Sequence, residues 1–318
     1  QNIELLRQVY SLLINAHYRT RPSDLRQLMD NPHQQLLLAE IAGRVVGVVQ
    51  LNREGGFSKE LCEQVFMGRR RPQGHLFAQM ITAQAGVRKF ACFSGLRVQR
   101  IAVDADYRRS GIGRELINSA QQLVQEQQLD YLATSFAIDP GVASFWQTLG
   151  FSLLHISSGT GKSSGRQTVA MIRAQSVDVE RITSELQYRL KSYLPLWLSG
   201  YCRFMYWSDV LAIIGLANIE YEFSLQDEDE IDAFGNGFRG FELSQAVLQK
   251  LLINRSSEPG KLADELVRPA IEKIALNRDW KDLPADNGHQ GRKELLSRLR
   301  LTVQILNKQR QKSNEKNT

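Results

Sequence analysis

Two short stretches carry residue types and spacings suited to holding an anion. Ser157–Arg166, SSGTGKSSGR, contains Gly-Thr-Gly-Lys-Ser, most of a nucleotide-binding P-loop. That loop works as Gly-x-x-x-x-Gly-Lys-[Ser/Thr] between a strand and a helix, because helix-start amides cradle the phosphates. Counting back five from Gly161 lands on Ile156, and the residues after Lys162, SSGRQTVAMI, read as a turn and a strand. A flexible hairpin loop is expected here, with Lys162 and Arg166 either touching an anionic substrate or simply solvated. The second stretch, Arg108–Arg114, RRSGIGR, has the required context of strand, loop and amphipathic helix. Gly111 and Gly113 let the backbone approach a ligand without an intervening Cβ. The amides from Arg109 to Arg114 would gather at the helix start, where unsatisfied N–H groups and the positive dipole end favour a diphosphate.

These residues need elements to hold them. IELLRQVYSLLINAHY puts Ile3, Leu6, Val9, Tyr10 and Leu13 at helical spacing, and RPSDLRQLMD predicts a second short helix capped by Ser23. QQLLLAEIAGRVVGVVQL predicts two strands joined at Ala42–Gly43. LRVQRIAV predicts the strand before the anion loop. The helix after it carries Ile112, Leu116, Ile117, Ala120, Leu123 and Val124 on one face. LDYLATSFA, FSLLHIS and QTVAMIR read as further strands, and VASFWQTLG as a short helix stopped by Gly150. Phe145 and Trp146 on that helix read as core. After Ser176 strand signals become scarce. Helical patterns follow at Val179, Ile182, Leu186 and Leu190, at 244–254, at 263–276 with a break at Pro269, and at 292–309. LQDEDEIDAFGNGFRG reads as a solvated acidic face without EF-hand spacing, and NKQRQKSNEKNT as a frayed end.

The composition is that of a folded chain: 318 residues with 42% hydrophobic, long enough for two domains. A formal charge of +6 favours an anionic partner weakly. Three cysteines, Cys62, Cys92 and Cys202, are odd in number and far apart in sequence, so no disulfide framework is expected and a reducing, cytoplasmic setting fits. No metal-ligand spacing joins the five histidines to each other or to cysteine, and no metal is expected. The longest apolar run, Val210–Ala217, is too short for a bilayer, so no membrane partner is expected.

RIAVDADYRRSGIGRELINSA resembles the acetyl-CoA signature of the GNAT acetyltransferase superfamily, and FWQTLGF, Phe145–Phe151, its second motif. AHYRTRPSDLRQLMD, EGGFS, RRPQGHLFAQ, RIAV and LDYLATSF together resemble the bacterial tRNA(Met) cytidine acetyltransferase family over residues 1 to 175. The resemblance implies an α/β (α+β) fold: a GNAT-type mixed sheet flanked by helices over 1–175, then a mostly helical, basic domain over 176–318 that binds tRNA. It implies acetyl-CoA as cofactor, and ATP only where the family's helicase-like module, absent from this chain, is present. It implies direct acetyl transfer in a ternary complex to the N4 amine of the wobble cytidine of tRNA(Met). No cysteine stands beside a base, and the Gly-x-Ser-x-Gly match at Gly161–Gly165 falls in a loop read as joining two strands rather than in a strand-to-helix elbow, so nothing suggests a covalent alternative.

On this reading the strand before the anion loop splays at a bulge, and Ile101, Ala102 and Val103 offer main-chain groups to the pantetheine arm. Arg108, Arg109, Ser110, Gly111, Ile112, Gly113 and Arg114 hold the diphosphate. His75, by its titration range, and Asp139, at a strand end, are the candidates to take the amine proton. Each also has a plainer reading, as a loop histidine and as a turn or cap residue. The family pattern has Asn at the place of His75, and Glu and Arg where this chain has Gly141 and Thr148. Arg69, Arg70 and Arg71 are placed to rim the cleft. Arg292, Lys293, Arg298 and Arg300 surround an inward stripe of Leu295, Leu296, Leu299, Val303 and Leu306 together with Lys308, Arg310 and Lys312. A solvated face, a membrane-surface helix and an RNA clamp all fit that helix from its pattern, and the resemblance favours RNA. Two rival readings stay open, a GNAT enzyme acting on a protein or small amine and an RNA-binding module with an inactive core.

Overall fold

Ala42 and Gly43 both adopt left-handed backbone, φ 50° and 77°, and so turn the chain between its first two strands. The computed structural model describes residues 3–16, 34–161, 164–283 and 291–317. The Ser23-capped helix and most of the AHYRTRPSDLRQLMD motif lie outside the described residues, as does Lys162. In chain order the first elements are α1 (Ile3–Ala16), β1 (Gln34–Ile41), β2 (Arg44–Gly55), α2 (Lys59–Phe66) and α3 (Leu76–Gln79). Then come β3 (Ser94–Val103), α4 (Ile112–Glu126), β4 (Tyr131–Ala137), α5 (Pro140–Thr148), β5 (Ser152–Thr160) and β6 (Gln167–Ala174). The strands form one six-stranded sheet in the order β1-β2-β3-β4-β6-β5. β1–β2 and β2–β3 are antiparallel and β3–β4 is parallel. This is the mixed sheet flanked by helices expected from the sequence.

Contacts divide the chain into two compact units. The first holds 1–136, 146–156 and 169–186, and the second 137–145, 157–168 and 187–318. In the first, Val9 and Leu13 of α1 are buried with Val45, Val48 and Ala102. Ile3, expected on that inward stripe, is exposed, because it opens the helix one turn before the packed face. α4 lies on the opposite face of β2 from α1, as the alternation of Gly47 and Val48 requires. A Cβ at Gly47 would stand 2.8 Å from the Ile112 side chain and 3.1 Å from that of Leu116, so glycine is what lets α4 sit this close. Leu116, Ile117, Ala120 and Val124 are buried as the periodicity predicts. A second core joins Phe77, Ile81, Phe90, Tyr131, Leu154 and Ile172 to Val179, Ile182 and Leu186 of the next helix.

That helix, α6 (Val177–Ser199), opens the helical region, which continues with α7 (Trp207–Ala217), α8 (Leu225–Gly235), α9 (Phe241–Ile253), α10 (Asp264–Ala270) and α11 (Arg292–Asn317). Pro195 lies inside α6 and has no N–H to give to Lys191, four residues back. The freed Lys191 carbonyl accepts the Tyr221 hydroxyl at 2.7 Å. Pro269 acts similarly, since α10 gives way directly to a π-type turn over Ile271–Ala275. The acidic stretch is α8, capped by a reciprocal Ser224–Asp227 pair. Its acids are not merely solvated. Asp227 meets Lys250 at 2.7 Å, Glu228 meets Arg310, and Asp232 accepts from Asn307 at 3.2 Å.

α11 is likewise not a fringe. Leu295, Leu299, Val303 and Leu306 are buried. Arg310, expected outside the stripe, is buried against the Phe223 ring, 4.2 Å from its centroid. The terminal stretch expected to fray continues the helix to Asn317.

Candidate functional site

The anion loop grows out of the end of β3. Asp104 accepts the Asp106 N–H at 3.1 Å and pairs with Arg44 at 2.7 Å, which turns the chain out of the sheet. Ser110 donates to the Tyr107 carbonyl at 2.5 Å. Arg109 and Gly111 then adopt left-handed backbone, φ 62° and 92°, and Gly111 caps α4. The first helical bond runs from Glu115 N–H to the Gly111 carbonyl at 3.1 Å. The main-chain N–H groups of residues 109–114 have no acceptor among the described residues. No atom lies within 4 Å of where a Gly111 Cβ would stand, so the backbone here is open to a ligand. Arg108, Arg109, Ser110 and Arg114 are exposed around it, and Ile112 and Gly113 are half-buried. A run of unpaired donors at a helix start with arginines beside it fits the oxygens of a diphosphate.

β3 also parts from its neighbour. Parallel pairing with β4 covers only Gly95–Val98 against Tyr131–Thr134. The register with β2 slips at the same level: Leu51 opposes Val98 and Gln50 opposes Arg100, leaving Gln99 as the extra residue of a bulge. Beyond it β3 stays paired with β2 alone, through Val49–Ile101, Val48–Ala102 and Gly47–Val103. Asp104 N–H donates to the Val46 carbonyl at 2.9 Å, so by antiparallel alternation Ala102 also points to β2. Ile101 and Val103 therefore turn their N–H and C=O groups toward the gap that β4 has left. Of Ile101, Ala102 and Val103, the first and last thus face the gap with their main-chain groups, and Ala102 faces β2.

His75 is half-buried at the head of α3. Its Nδ1 accepts the Gly55 N–H at 3.0 Å, which puts the ring proton of the neutral form on Nε2. Its ring meets Phe57 edge-on at 4.7 Å. The same segment is tied down twice more: Asn52 donates to the Gly74 carbonyl at 2.6 Å, and Gln79 to the Pro72 carbonyl at 2.5 Å. Beneath it lies a pair that sequence reasoning missed. Glu54, fully buried, accepts the Phe77 and Ala78 N–H groups at 2.7 and 3.2 Å and pairs with Arg97 of β3. Glu54 is the one acid of its strand and Arg97 one of two arginines in β3, and no spacing within either strand pairs them. Arg69, Arg70 and Arg71 precede this segment and are exposed.

Two of the cysteines that are far apart in sequence meet in space. The Cys62 and Cys92 sulfurs are 2.9 Å apart as free thiols. Burial, and then the Cys92 thiol beside it, push Cys62 up to about 12, so it stays protonated at neutral pH. Trp146 is buried edge-on to Phe151 at 4.9 Å, in the core role read from its spacing.

The other candidates belong to the second unit. Asp139 accepts the Gly141 and Val142 N–H groups at 3.0 and 3.1 Å, which caps α5. Arg166 lies 3.6 Å from Asp139 and 3.4 Å from the buried Asp209, and donates to the Ile138 carbonyl at 3.1 Å. Burial holds the Asp209 carboxyl above the usual carboxylate range, with the Arg166 charge opposing that shift and the Asp139 charge adding to it. Arg166 thus anchors its own hairpin. On α11, Arg292 pairs with Glu242 at 2.8 Å and lies over Trp280, Arg298 pairs with Glu294 at 3.5 Å, and Arg300 lies over Phe234. Lys293 is exposed. Three of the four cations expected to meet RNA on this helix are therefore engaged within the chain. Among the described residues no group of His, Cys, Asp and Glu is arranged to hold a metal ion, and no helix is long and apolar enough to cross a membrane.

Residues 8–127 match the family model described as GNAT acetyltransferase 2. The chain is 37% identical over 308 residues to a protein of Pectobacterium atrosepticum named tRNA(Met) cytidine acetyltransferase TmcA, covering 93% of this chain and 41% of that one. Proteins of the same name from Yersinia pestis and Salmonella typhimurium are 38% and 42% identical. Those matches cover 80% and 59% of this chain, and 36% and 28% of theirs. The chain spans about two fifths of the length of the first of these relatives.

Proposed function

The chain belongs to the tRNA(Met) cytidine acetyltransferase family, and from that premise we propose that it is an acyltransferase that moves acetyl from acetyl-CoA to the N4 amine of the wobble cytidine of tRNA(Met). The observation that carries the reading is the gap between β3 and β4 opening beside the unpaired amides of residues 109–114. Bound acetyl-CoA supplies the acetyl group as a thioester.

The chain's own residues do the rest by position. Main-chain N–H groups of 109–114, with Arg108, Arg109 and Arg114 beside them, hold the diphosphate. Ile101 and Val103 orient the arm along the free edge of β3. One of their N–H groups donates toward the thioester carbonyl as charge develops there, a hydrogen bond whose removal raises a barrier by about 3–4 kcal/mol. The acceptor nitrogen is conjugated with its ring and weakly nucleophilic, so holding it in line with the thioester supplies much of the rate. The N–C bond forms as the C–S bond breaks, and the proton given up by the amine balances the charge of the departing coenzyme A thiolate, whose thiol titrates at about 8.5. Neither His75 nor Asp139 is assigned as the base. His75 gives its Nδ1 lone pair to Gly55, and Asp139 caps a helix. We assign acetyl transfer to the first unit and RNA binding to the second together with Arg69–Arg71. ATP enters only through the helicase-like module of full-length relatives.

The test is incubation of the chain with labelled acetyl-CoA and unmodified tRNA(Met), with and without ATP, followed by mapping of acetylcytidine. Label at the wobble cytidine supports the reading. Label on a protein or small amine and none on the tRNA overturns it. Binding of tRNA should weaken steeply as salt rises. Replacing Arg69, Arg70 and Arg71 by Ala should lower the slope of log affinity against log salt by about one for each of them that pairs with a phosphate. An unchanged slope would remove these arginines from the interface.

A further inference from the structure

Cys62 and Cys92 have no part in the chemistry above, yet their sulfurs lie 2.9 Å apart across thirty residues of sequence. Both belong to the first unit. Cys62 lies on α2 and is 1% exposed. Cys92 ends the short turn of helix Phe90–Cys92, just ahead of β3, and is half-buried. Around them are Phe57, Ala78 and Ala91, which bring no charge and no metal ligand. The backbone that carries each sulfur is fixed by other contacts. The Gly56 and Phe57 N–H groups donate to the Phe93 and Ala91 carbonyls at 3.1 and 2.9 Å, on either side of Cys92. The Ala91 N–H donates to the buried Thr82 hydroxyl at 3.0 Å. Glu63, next to Cys62, pairs with Arg88, whose guanidinium lies 4.2 Å from the centroid of the Phe66 ring. The two sulfurs thus face each other because the main chain brings them there.

We propose that Cys62 and Cys92 are a redox-sensitive pair that a peroxide converts to a disulfide, clamping the loop from residue 62 to residue 92. The pair is independent of acetyl transfer and holds or fails without it. Disulfide sulfurs stand about 2.05 Å apart, so closure needs an approach of less than about 1 Å. In a reducing setting such a pair stays as thiols until an oxidant reaches it, and the disulfides found there are transient and sensing ones. The unequal burial of the two sulfurs sets their order of reaction. Cys92, the less buried, attacks one peroxide oxygen as the thiolate. The O–O bond breaks, and the departing oxygen leaves as water with the proton that Cys92 gave up, so that Cys92 becomes a sulfenic acid. The Cys62 sulfur, still carrying its proton, then attacks the Cys92 sulfur. The S–S bond forms as the S–O bond breaks, and the departing hydroxide takes the Cys62 proton as a second water. Two thiols lose two electrons in all, and one peroxide is reduced to two waters. Excess dithiol reverses the change by exchange. The loop so closed carries Arg69, Arg70, Arg71 and His75, and the Phe77 and Ala78 N–H groups held by Glu54.

The test uses the reduced chain and hydrogen peroxide, read first by mass. Oxidation should remove two hydrogens per chain, and a peptide map should show Cys62 joined to Cys92, with the fully buried Cys202 still a thiol. Dithiothreitol should restore the starting mass. Amide exchange over residues 68–80 should slow about tenfold or more in the oxidised chain, because a closed loop has fewer open states. Cys62→Ala leaves Cys92 without its partner. Peroxide should then stop at a sulfenic acid that dimedone traps, with exchange over 68–80 unaffected by the oxidant. The parent chain alone decides the mass and exchange readings, so they stand even where Cys62→Ala folds poorly. Peroxide that leaves both thiols open to alkylation overturns the proposal, as does oxidation of Cys92 with no link to Cys62. A link between two chains, or a link that leaves exchange over 68–80 as it was, overturns it too.

Discussion

Gly111→Glu should lower the affinity of the chain for acetyl-CoA about a hundredfold, read by isothermal titration. Two effects add. Gly111 sits at φ 92°, where a residue with a Cβ is strained, by about 1–2 kcal/mol. The new carboxylate also stands at a helix start arranged for anions and repels a diphosphate there. Together these reach the roughly 2.7 kcal/mol that a hundredfold change requires. Gly111→Ala separates them. Nothing lies within 4 Å of its Cβ, so it adds strain without a clash or a charge. It should cost about tenfold or less. An undiminished affinity in Gly111→Glu would move the diphosphate to another place in the fold and take the proposed chemistry with it.

Glu54→Ala should destabilise the first unit by about 3–5 kcal/mol, measured by urea unfolding, because it leaves the Arg97 charge buried without a partner. The carboxylate also holds the N–H groups of Phe77 and Ala78, so the segment carrying His75 should loosen and exchange its amides faster. Replacing both partners, Glu54→Leu with Arg97→Met, should recover much of the stability while leaving those two N–H groups unpaired. Stability in the single variant equal to the parent would mean that water reaches this pair. The pair then would not be what fixes the RRPQGHLFAQ segment against the sheet.

The parts legible in the sequence are those governed by neighbours in the chain. The Ala42–Gly43 turn, the inward face of α4, the RRSGIGR loop and the break at Pro269 each follow from spacing within about fifteen residues. The failed P-loop could be rejected the same way, because the residues after Lys162 alternate like a strand. The Glu54–Arg97 pair was not legible, since it depends on the pairing of two strands past a bulge at Gln99 that no local pattern announces. The acidic run looked solvated for a similar reason: Glu228 finds Arg310 across most of the helical region. The basic stripe of α11 was read correctly as amphipathic, yet periodicity gives only the direction of a side chain. It does not say that Arg292 and Arg300 meet Glu242 and the Phe234 ring.

The parting of β3 from β4 has a consequence for how the protein behaves in storage. A sheet interrupted in its middle presents a short row of backbone groups that no neighbouring strand pairs, the kind of template on which foreign strands add and aggregates start. On the proposed reading a thioester lying along Ile101 and Val103 would cover that row and act as a protective cap as well as a reactant, so preparations kept with acetyl-CoA should stay clear where bare protein turns cloudy.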